Sequence, residues 1–404
     1  MKHATLEEAS IALVYDKLLD AYGGAEHVLK QLLVTFPTAA VYTSVYSNKT
    51  LSWMGSTPIH TTFLQKWGVV SKFYKLFAPV LPIAFENLDL SAYDIVISIC
   101  SEHAKAVITK PHQLNICYLL TPTRYLHSHQ QTYAATEPLL KLPGLSFIAQ
   151  KGITYLRRVD QITAQRPDFL IPISQRIAAR TKKYYHRETL APLYPPAPYY
   201  HPQLLPVLSS LEYLLSASRL VAYKRIDLVV AAALTAGKRL IVAGQGPAQS
   251  NLIKQAGTSV IVRTANEPLG AFFARAVTST KLIWFTNQVT ESELAALFTN
   301  AQLFILPGIE DFGIAPLQAA HYGTPSILHH ASGVSEILTE PFATHITEQT
   351  SDAVLKALES ALKKKTHSRE LKELAAEHLP KSFTTQFRKV VYDLFIKKGS
   401  NVPS

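Results

Sequence analysis

This chain has little cysteine, no long apolar run and a shortage of acid, and each scarcity excludes something. Cys100 and Cys117 are the only cysteines among 404 residues, and both fall in apolar, strand-like runs. They read as reduced core residues of a cytoplasmic protein, with neither a disulfide framework nor a metal cluster. No stretch reaches the ~18 consecutive apolar residues that a bilayer-spanning helix needs. The amino-terminal MKHATLEEAS lacks an apolar signal core, so the expectation is a protein that is not exported. Asp and Glu number 29 against 40 Lys and Arg, a formal net charge of +11. Such an excess suits an anionic ligand or surface, whether nucleotide, phospholipid or nucleic acid. Nucleic acid is the weakest of these, because zinc-finger spacing, an RNA-recognition signature and a long basic run are all missing.

What is present is core-forming sequence. Hydrophobic residues make up 48% and charged residues 17%, the balance of a globular chain rather than a disordered one. The length allows two domains of ordinary size. Apolar strand runs at Ile11–Tyr15, Val41–Val45, Asp94–Ile99 and Asn115–Leu120 alternate with helical periodicities such as Val28, Leu29, Leu32, Leu33 and Phe36. Leu190–Ser210 is the most proline-rich part of the chain and reads as an interdomain linker. Further strands are expected at Tyr213–Ala217, Leu240–Ala243 and Leu303–Leu306. Strands alternating with helices in two halves predict an α/β protein of two doubly wound domains. The expected boundaries are 1–190, a linker over 191–211, 212–380, and a closing helix over 381–404.

Several loops at predicted strand ends carry groups suited to a crevice ligand. Gly23-Gly24 opens a helix and could seat a phosphate or a sugar hydroxyl, although taken alone the pair reads more readily as a tight βα turn. Asp94–Ile99 leads into Ser101, Glu102 and His103, and Asn115–Leu120 leads into Thr121–Tyr125. Arg219 and Lys224 bracket the loop after Tyr213–Ala217, and two cations beside a helix start suit a diphosphate leaving group. The turn Gly244–Pro247 superficially resembles a dinucleotide fingerprint, but Gln249 stands where the last glycine should be. Pro307–Leu338 reads as a strand end, a polar turn, a short helix closed by Gly323, and another strand. Glu310 lies in that turn, Gly313 permits close backbone approach, and Gln318 falls in the helix eight residues after Glu310. Lys72–Leu90 interleaves basic and aromatic residues, and an amphipathic helix packed on the sheet is expected there in preference to a membrane-surface element. Arg263–Thr280 reads as an insertion, either a surface excursion or an acceptor or partner element.

The string EDFGIAPLQAAHYGTP (Glu310–Pro325) resembles the nucleotide-sugar motif of family 4 glycosyltransferases, mannosyltransferase-type members especially, which carries two glutamates at this spacing. The chain departs at the second, Gln318, whose amide can hydrogen-bond but carries no charge. YGGAEHVL is similar to the family's amino-terminal glycine loop, and SGVSE (Ser332–Glu336) to its small-residue loop. The resemblance covers nearly the whole chain. It implies the GT-B fold, two Rossmann-like domains facing a central cleft, with the last helix returning to the first domain. It places Glu310 on the donor sugar, Gln318 weakly on the ribose, and Arg219 and Lys224 on the diphosphate. Gly23, Gly24, Phe312, Gly313 and Ile314 are expected beside the donor, and Arg124 on the acceptor side. His103 matches a family histidine and enters as a catalytic candidate, equally readable as structural. The position before Thr121-Pro122, where the family often has a histidine, holds Leu120.

The function so implied is transfer of a hexose, with GDP-mannose the expected donor, to a glycan or lipid-linked acceptor with retention of configuration. No cofactor or metal is expected, since no D-x-D pair occurs and cations with helix amides can take the diphosphate charge. The expected partners are the nucleotide-sugar donor, the acceptor, and an anionic membrane touched peripherally at its inner face, but not nucleic acid. Leu120 and Gln318 keep a second reading open, a pseudo-transferase that retains the fold as a binding or scaffolding partner.

Overall fold

Two series of short apolar segments form two parallel sheets in the computed structural model, which describes residues 6–19, 22–47, 53–55, 57–128, 145–365 and 367–400. The chain divides into one unit of Met1–Tyr194 with Phe383–Ser404, and another of Pro195–Ser382.

In the first unit, β1 (Ile11–Tyr15), β2 (Ala40–Thr43), β3 (Ile59–Thr61), β4 (Ile95–Cys100), β5 (Leu114–Leu119) and β6 (Phe169–Pro172) lie in the order β3-β2-β1-β4-β5-β6. Every pairing is parallel. β1, β4 and β5 are buried along their whole length, as parallel strands covered on both faces are. Ile11 pairs with Ile95 and Tyr15 with Ile99, so the carboxyl ends of β1 and β4 lie side by side where the strand order reverses. The closing helix, Pro380–Ser400, contributes buried Phe383, Phe387, Val391 and Phe395 to this unit. Phe387 meets Tyr118 edge-on at 5.4 Å.

In the second unit, β7 (Leu214–Ala217), β8 (Leu240–Ala243), β9 (Val260–Val262), β10 (Ile283–Asn287), β11 (Leu303–Leu306), β12 (Ser326–His329) and β13 (Ala343–Ile346) take the order β13-β12-β11-β7-β8-β10-β9. Here β7 and β11 are neighbours, with Leu214 opposite Leu303. The chain leaves β7 toward β8 and leaves β11 toward β12, so the loops after β7 and β11 part at a topological switch point.

Three segments differ from the sequence expectations. The proline-rich stretch is not a free linker beyond Tyr194, because Pro195–Pro198 are buried within the second unit. Proline has no N–H, so burying three of them leaves few donors to satisfy. Ala197 supplies the one N–H, donated to the His378 carbonyl at 3.0 Å, and its own carbonyl meets His321 Nε2 at 2.9 Å. Arg263–Thr280 is not an insertion but the crossover joining β9 to β10. Its helix Leu269–Val277 buries Leu269, Phe272, Phe273 and Ala276, spaced as one helical face, with Phe272 and Phe273 against Trp284. Lys72–Leu90 is no single amphipathic helix either, since it forms a 3-10 turn at Tyr74–Phe77 and a short helix at Leu81–Glu86.

Candidate active site

The second unit's switch point gathers the chemistry. The loop after β7 runs through a 3-10 turn, Ala222–Lys224, to helix Ile226–Thr235, and the loop after β11 runs to helix Ile314–His321. Lys224 Nζ lies 2.6 Å from Glu310 Oε2, with the two side chains 15% and 10% exposed. Glu310 Oε1 is buried and has no hydrogen-bond partner. A shielded carboxylate oxygen left unmatched is costly, so this atom marks a place where a donor group is missing.

The Glu310 loop is held from behind. The Glu310 N–H donates to Ser332 Oγ at 3.1 Å, Ser332 Oγ–H donates to the Gly308 carbonyl at 3.2 Å, and the Gly333 N–H donates to the Glu310 carbonyl at 3.1 Å. The Val334 N–H reaches the Phe312 carbonyl at 2.8 Å. Gly313 caps the following helix with φ +108°, a left-handed conformation that a side chain would strain. Phe312 is buried, and Ile314 opens the helix half-buried.

The cationic loop is held by close glycine contacts. A Cβ on Gly308 would lie 2.7 Å from Lys224 Cα, one on Gly246 would lie 2.3 Å from the Leu220 carbonyl oxygen, and one on Gly244 would overlap that of Ser218. The glycines of Gly244–Pro247 thus serve as a seat for the β7 loop, not as a nucleotide fingerprint. Sequence reasoning missed this, and Gly308 with it, because the partners lie on distant strands. Arg219 is exposed, and its side chain makes no ion pair or hydrogen bond with another described residue. Its neighbour in charge, Arg225, is committed to Asp227 at 3.0 Å and to the Gln349 carbonyl at 3.3 Å.

Gln318 lies on helix Ile314–His321 and donates weakly to the Pro198 carbonyl at 3.5 Å. The proline strap that receives it is fixed by Tyr322, whose hydroxyl donates to the Tyr200 carbonyl at 2.7 Å and whose ring stacks on Tyr199. The structure therefore brings together Glu310 and Lys224, and puts Gln318 against the strap.

The first unit's switch point is built differently. Asp16, just after β1, accepts backbone N–H groups from Ser101 (2.6 Å), Glu102 (2.8 Å), His103 (2.8 Å) and Ala104 (2.7 Å). The Ser101 hydroxyl adds a fifth bond at 3.0 Å. This amide nest, the kind of feature that holds a phosphate, is filled by the protein's own carboxylate. Sequence reasoning passed over Asp16, since a lone aspartate after a strand gives no signal of its role. At Gly23-Gly24, Glu26 takes the Gly23 N–H at 3.0 Å and the Tyr15 hydroxyl at 2.7 Å, so the turn is capped from within.

His103 is 1% exposed, and its Nε2 pairs with the Tyr125 hydroxyl at 2.8 Å. Burial, with the Lys105 ammonium second, lowers its pKa from 6.5 to about 4, so the imidazole is neutral at neutral pH. Beneath it, buried Asp160 joins Lys105 (2.5 Å), Thr123 (2.9 Å), His127 (2.9 Å) and Tyr185 (2.8 Å). Burial opposes the charge on Asp160, but Lys105 and these donors hold its carboxyl well below the usual range. Arg124 begins the short helix Arg124–His127, half-buried, and Leu120 is buried with its N–H on the Cys100 carbonyl.

Among the described residues no three His, Cys, Asp or Glu side chains form a group that could hold a metal ion. None of the described helices is long and apolar enough to cross a membrane.

Among curated proteins the sequence has no match. Residues 275–378, which include β11, Glu310 and helix Ile314–His321, match the family of glycosyl transferases group 1. Among solved structures, HepE of Anabaena in complex with UDP is similar over 95% of this chain and 99% of its own, with 14% identity and a TM-score of 0.62. Sucrose-phosphate synthase of Thermosynechococcus elongatus is similar over 96% and 100%, with 13% identity and a TM-score of 0.63. The lipopolysaccharide outer core galactosyltransferase WaaB follows at 95% and 99%, 13% identity and 0.58. At such identities the likeness is one of fold. This chain has the two-domain α/β fold of GT-B glycosyltransferases, and the stretch that matches the group 1 family model lies in its second unit.

Proposed function

We propose that this protein is a glycosyltransferase that moves a hexosyl group from a nucleoside diphosphate sugar to a hydroxyl of a glycan or lipid-linked acceptor. One observation carries the reading: Glu310 is paired on one oxygen with Lys224 and left buried and unmatched on the other, at the switch point of the second sheet. A sugar hydroxyl supplies the missing donor. Lys224 and exposed Arg219 receive the diphosphate, whose negative charge grows as the anomeric C–O bond breaks. The helix start at Gly313-Ile314 adds backbone dipole. The acceptor oxygen forms the new bond on the face the diphosphate leaves, giving retention, and its proton passes to the departing phosphate oxygen.

The contrast between the two switch points supports this division of labour. In the first unit the amide nest is occupied by Asp16, so an anionic donor finds its site in the second unit. The first unit serves the acceptor, with Tyr125 positioned by neutral His103 and with Arg124 nearby in sequence. Solved relatives of the same fold bind UDP or UDP-glucose, which widens the donor candidates beyond GDP-mannose. A binding-only reading draws on Gln318, which is uncharged and bonded to the Pro198 carbonyl.

The test is nucleotide-sugar hydrolysis followed by mass spectrometry, with GDP-mannose, UDP-glucose and UDP-N-acetylglucosamine incubated separately. Release of one nucleoside diphosphate, lost in Glu310→Gln and Arg219→Ala, supports transfer. Absence of both hydrolysis and donor binding supports the binding-only reading.

A further inference from the structure

Three rings come together beside Gly23-Gly24, in the loop that follows β1. Tyr22 precedes the glycines, His27 lies on the first turn of helix Gly24–Thr35, and Trp53 comes from the connection between β2 and β3. The Tyr22 ring meets Trp53 at 5.3 Å and 69°, and His27 at 6.4 Å and 86°. The rings therefore form a corner. Tyr22 is 37% exposed and Trp53 half-buried, so the corner has an outer side.

Its polar atoms are only partly matched. The Tyr22 hydroxyl and His27 Nδ1 share a hydrogen bond at 3.1 Å. His27 Nε2 and Trp53 Nε1 are both buried with no hydrogen-bond partner. Rings that serve only to fill a core are usually better provided. Trp284 Nε1 donates to the Lys281 carbonyl at 2.7 Å, and His321 Nε2 meets the Ala197 carbonyl at 2.9 Å. Burial first, and Lys30 second, keep the His27 imidazole neutral at neutral pH. One of its nitrogens then donates and the other accepts, while the indole only donates.

From this we infer that Tyr22, His27 and Trp53 form the subsite for an uncharged pyranose of the acceptor. A pyranose has an apolar C–H face that packs on an aromatic ring, and a rim of hydroxyls that donate and accept. Those hydroxyls match the two unpaired nitrogens. The three side chains carry no charge at neutral pH, which suits a neutral sugar better than an acidic one. Rings set near right angles also offer no parallel slot for a flat nucleobase. The inference rests on the transfer reading only in calling this sugar the acceptor.

The test is saturation-transfer NMR on the full chain with methyl α-mannopyranoside, methyl β-glucopyranoside, methyl β-galactopyranoside and methyl β-glucuronide, each titrated separately. A neutral glycoside is expected to bind, with saturation strongest at its ring C–H protons. Trp53→Phe keeps a ring and removes the N–H, and is expected to weaken binding roughly 2- to 10-fold. Tyr22→Ala removes the stacking face and is expected to cost a similar factor. Thermal melts check that both variants fold, and Trp53→Phe alone decides if Tyr22→Ala does not. No neutral glycoside bound, with UDP or GDP binding normally, overturns the subsite and leaves the transfer reading standing. A sugar bound without any nucleotide binding supports the subsite and counts against that reading. Unchanged sugar binding in Trp53→Phe, or tighter binding of the glucuronide, overturns the assignment.

Discussion

Lys224 and Glu310 form an ion pair at 2.6 Å that satisfies one carboxylate oxygen and leaves the other buried without a partner. Burying an unmatched carboxylate oxygen costs about 1–3 kcal/mol, which a ligand hydroxyl donating to it would offset.

Glu310→Gln keeps the shape and a hydrogen bond to Lys224 but removes the charge. Turnover is expected to fall roughly 100-fold or more, with a thermal midpoint moved by only a few degrees. Initial rates and thermal melts on the same preparation check this, and unchanged turnover contradicts the role given to Glu310.

Gly308→Ala tests whether the cationic loop must sit where it does. The added Cβ would lie 2.7 Å from Lys224 Cα and from the Tyr223 carbonyl oxygen, so the loop has to move. The cost in stability is about 1–3 kcal/mol, and donor affinity is expected to weaken as it does in Lys224→Ala. An alanine variant with full affinity places the diphosphate elsewhere.

Gln318→Glu puts a carboxylate against the Pro198 carbonyl that the amide now meets. Stability is expected to drop by about 1 kcal/mol through the lost hydrogen bond to the strap. If Gln318 also reaches the ribose, the same change tightens donor binding several-fold. Calorimetry separates the two effects, and weaker donor binding confines Gln318 to the strap.

The pH dependence has a defined sign. Burial first, with Lys105 and Lys30 second, lowers the pKa values of His103 and His27 to about 4. The unfolded chain takes up these protons near pH 6.5, the folded chain only near 4. Between those values the unfolded state binds more protons, so stability falls as pH drops and levels off below about 4. Each histidine contributes roughly 3 kcal/mol at most. Urea midpoints are expected to decline from pH 7 to pH 5, with a shallower slope in His103→Gln. Parallel slopes exclude His103 as a contributor.

Much of this was legible because it is local. The runs Ile11–Tyr15, Leu240–Ala243 and Leu303–Leu306 are strands with the limits that their apolar composition suggests. Ser174 caps the helix Gln175–Tyr185 by accepting the Ile177 N–H at 3.2 Å, as a serine before a helical run should. What escaped the sequence depends on partners far along the chain. Gly308 is needed by Lys224, Gly246 by Leu220, and Asp16 by four amides more than 80 residues away. The prolines after Tyr194 read as a linker because proline opposes regular structure, yet the same missing N–H lets them be buried cheaply. The apolar face Leu269, Phe272, Phe273 and Ala276 was readable, and the expectation of an insertion obscured it.

The central claim is that the loop between β7 and helix Ile226–Thr235 binds a nucleoside diphosphate, and calorimetric titration with UDP, GDP and their monophosphates tests it most directly. The account predicts that one diphosphate binds more tightly than its monophosphate. It also predicts that Arg219→Ala and Lys224→Ala each weaken the diphosphate by roughly 10- to 100-fold, as loss of a charged hydrogen bond implies. Their effect on the monophosphate should be far smaller. Diphosphate affinity equal in wild type and both variants would contradict the account.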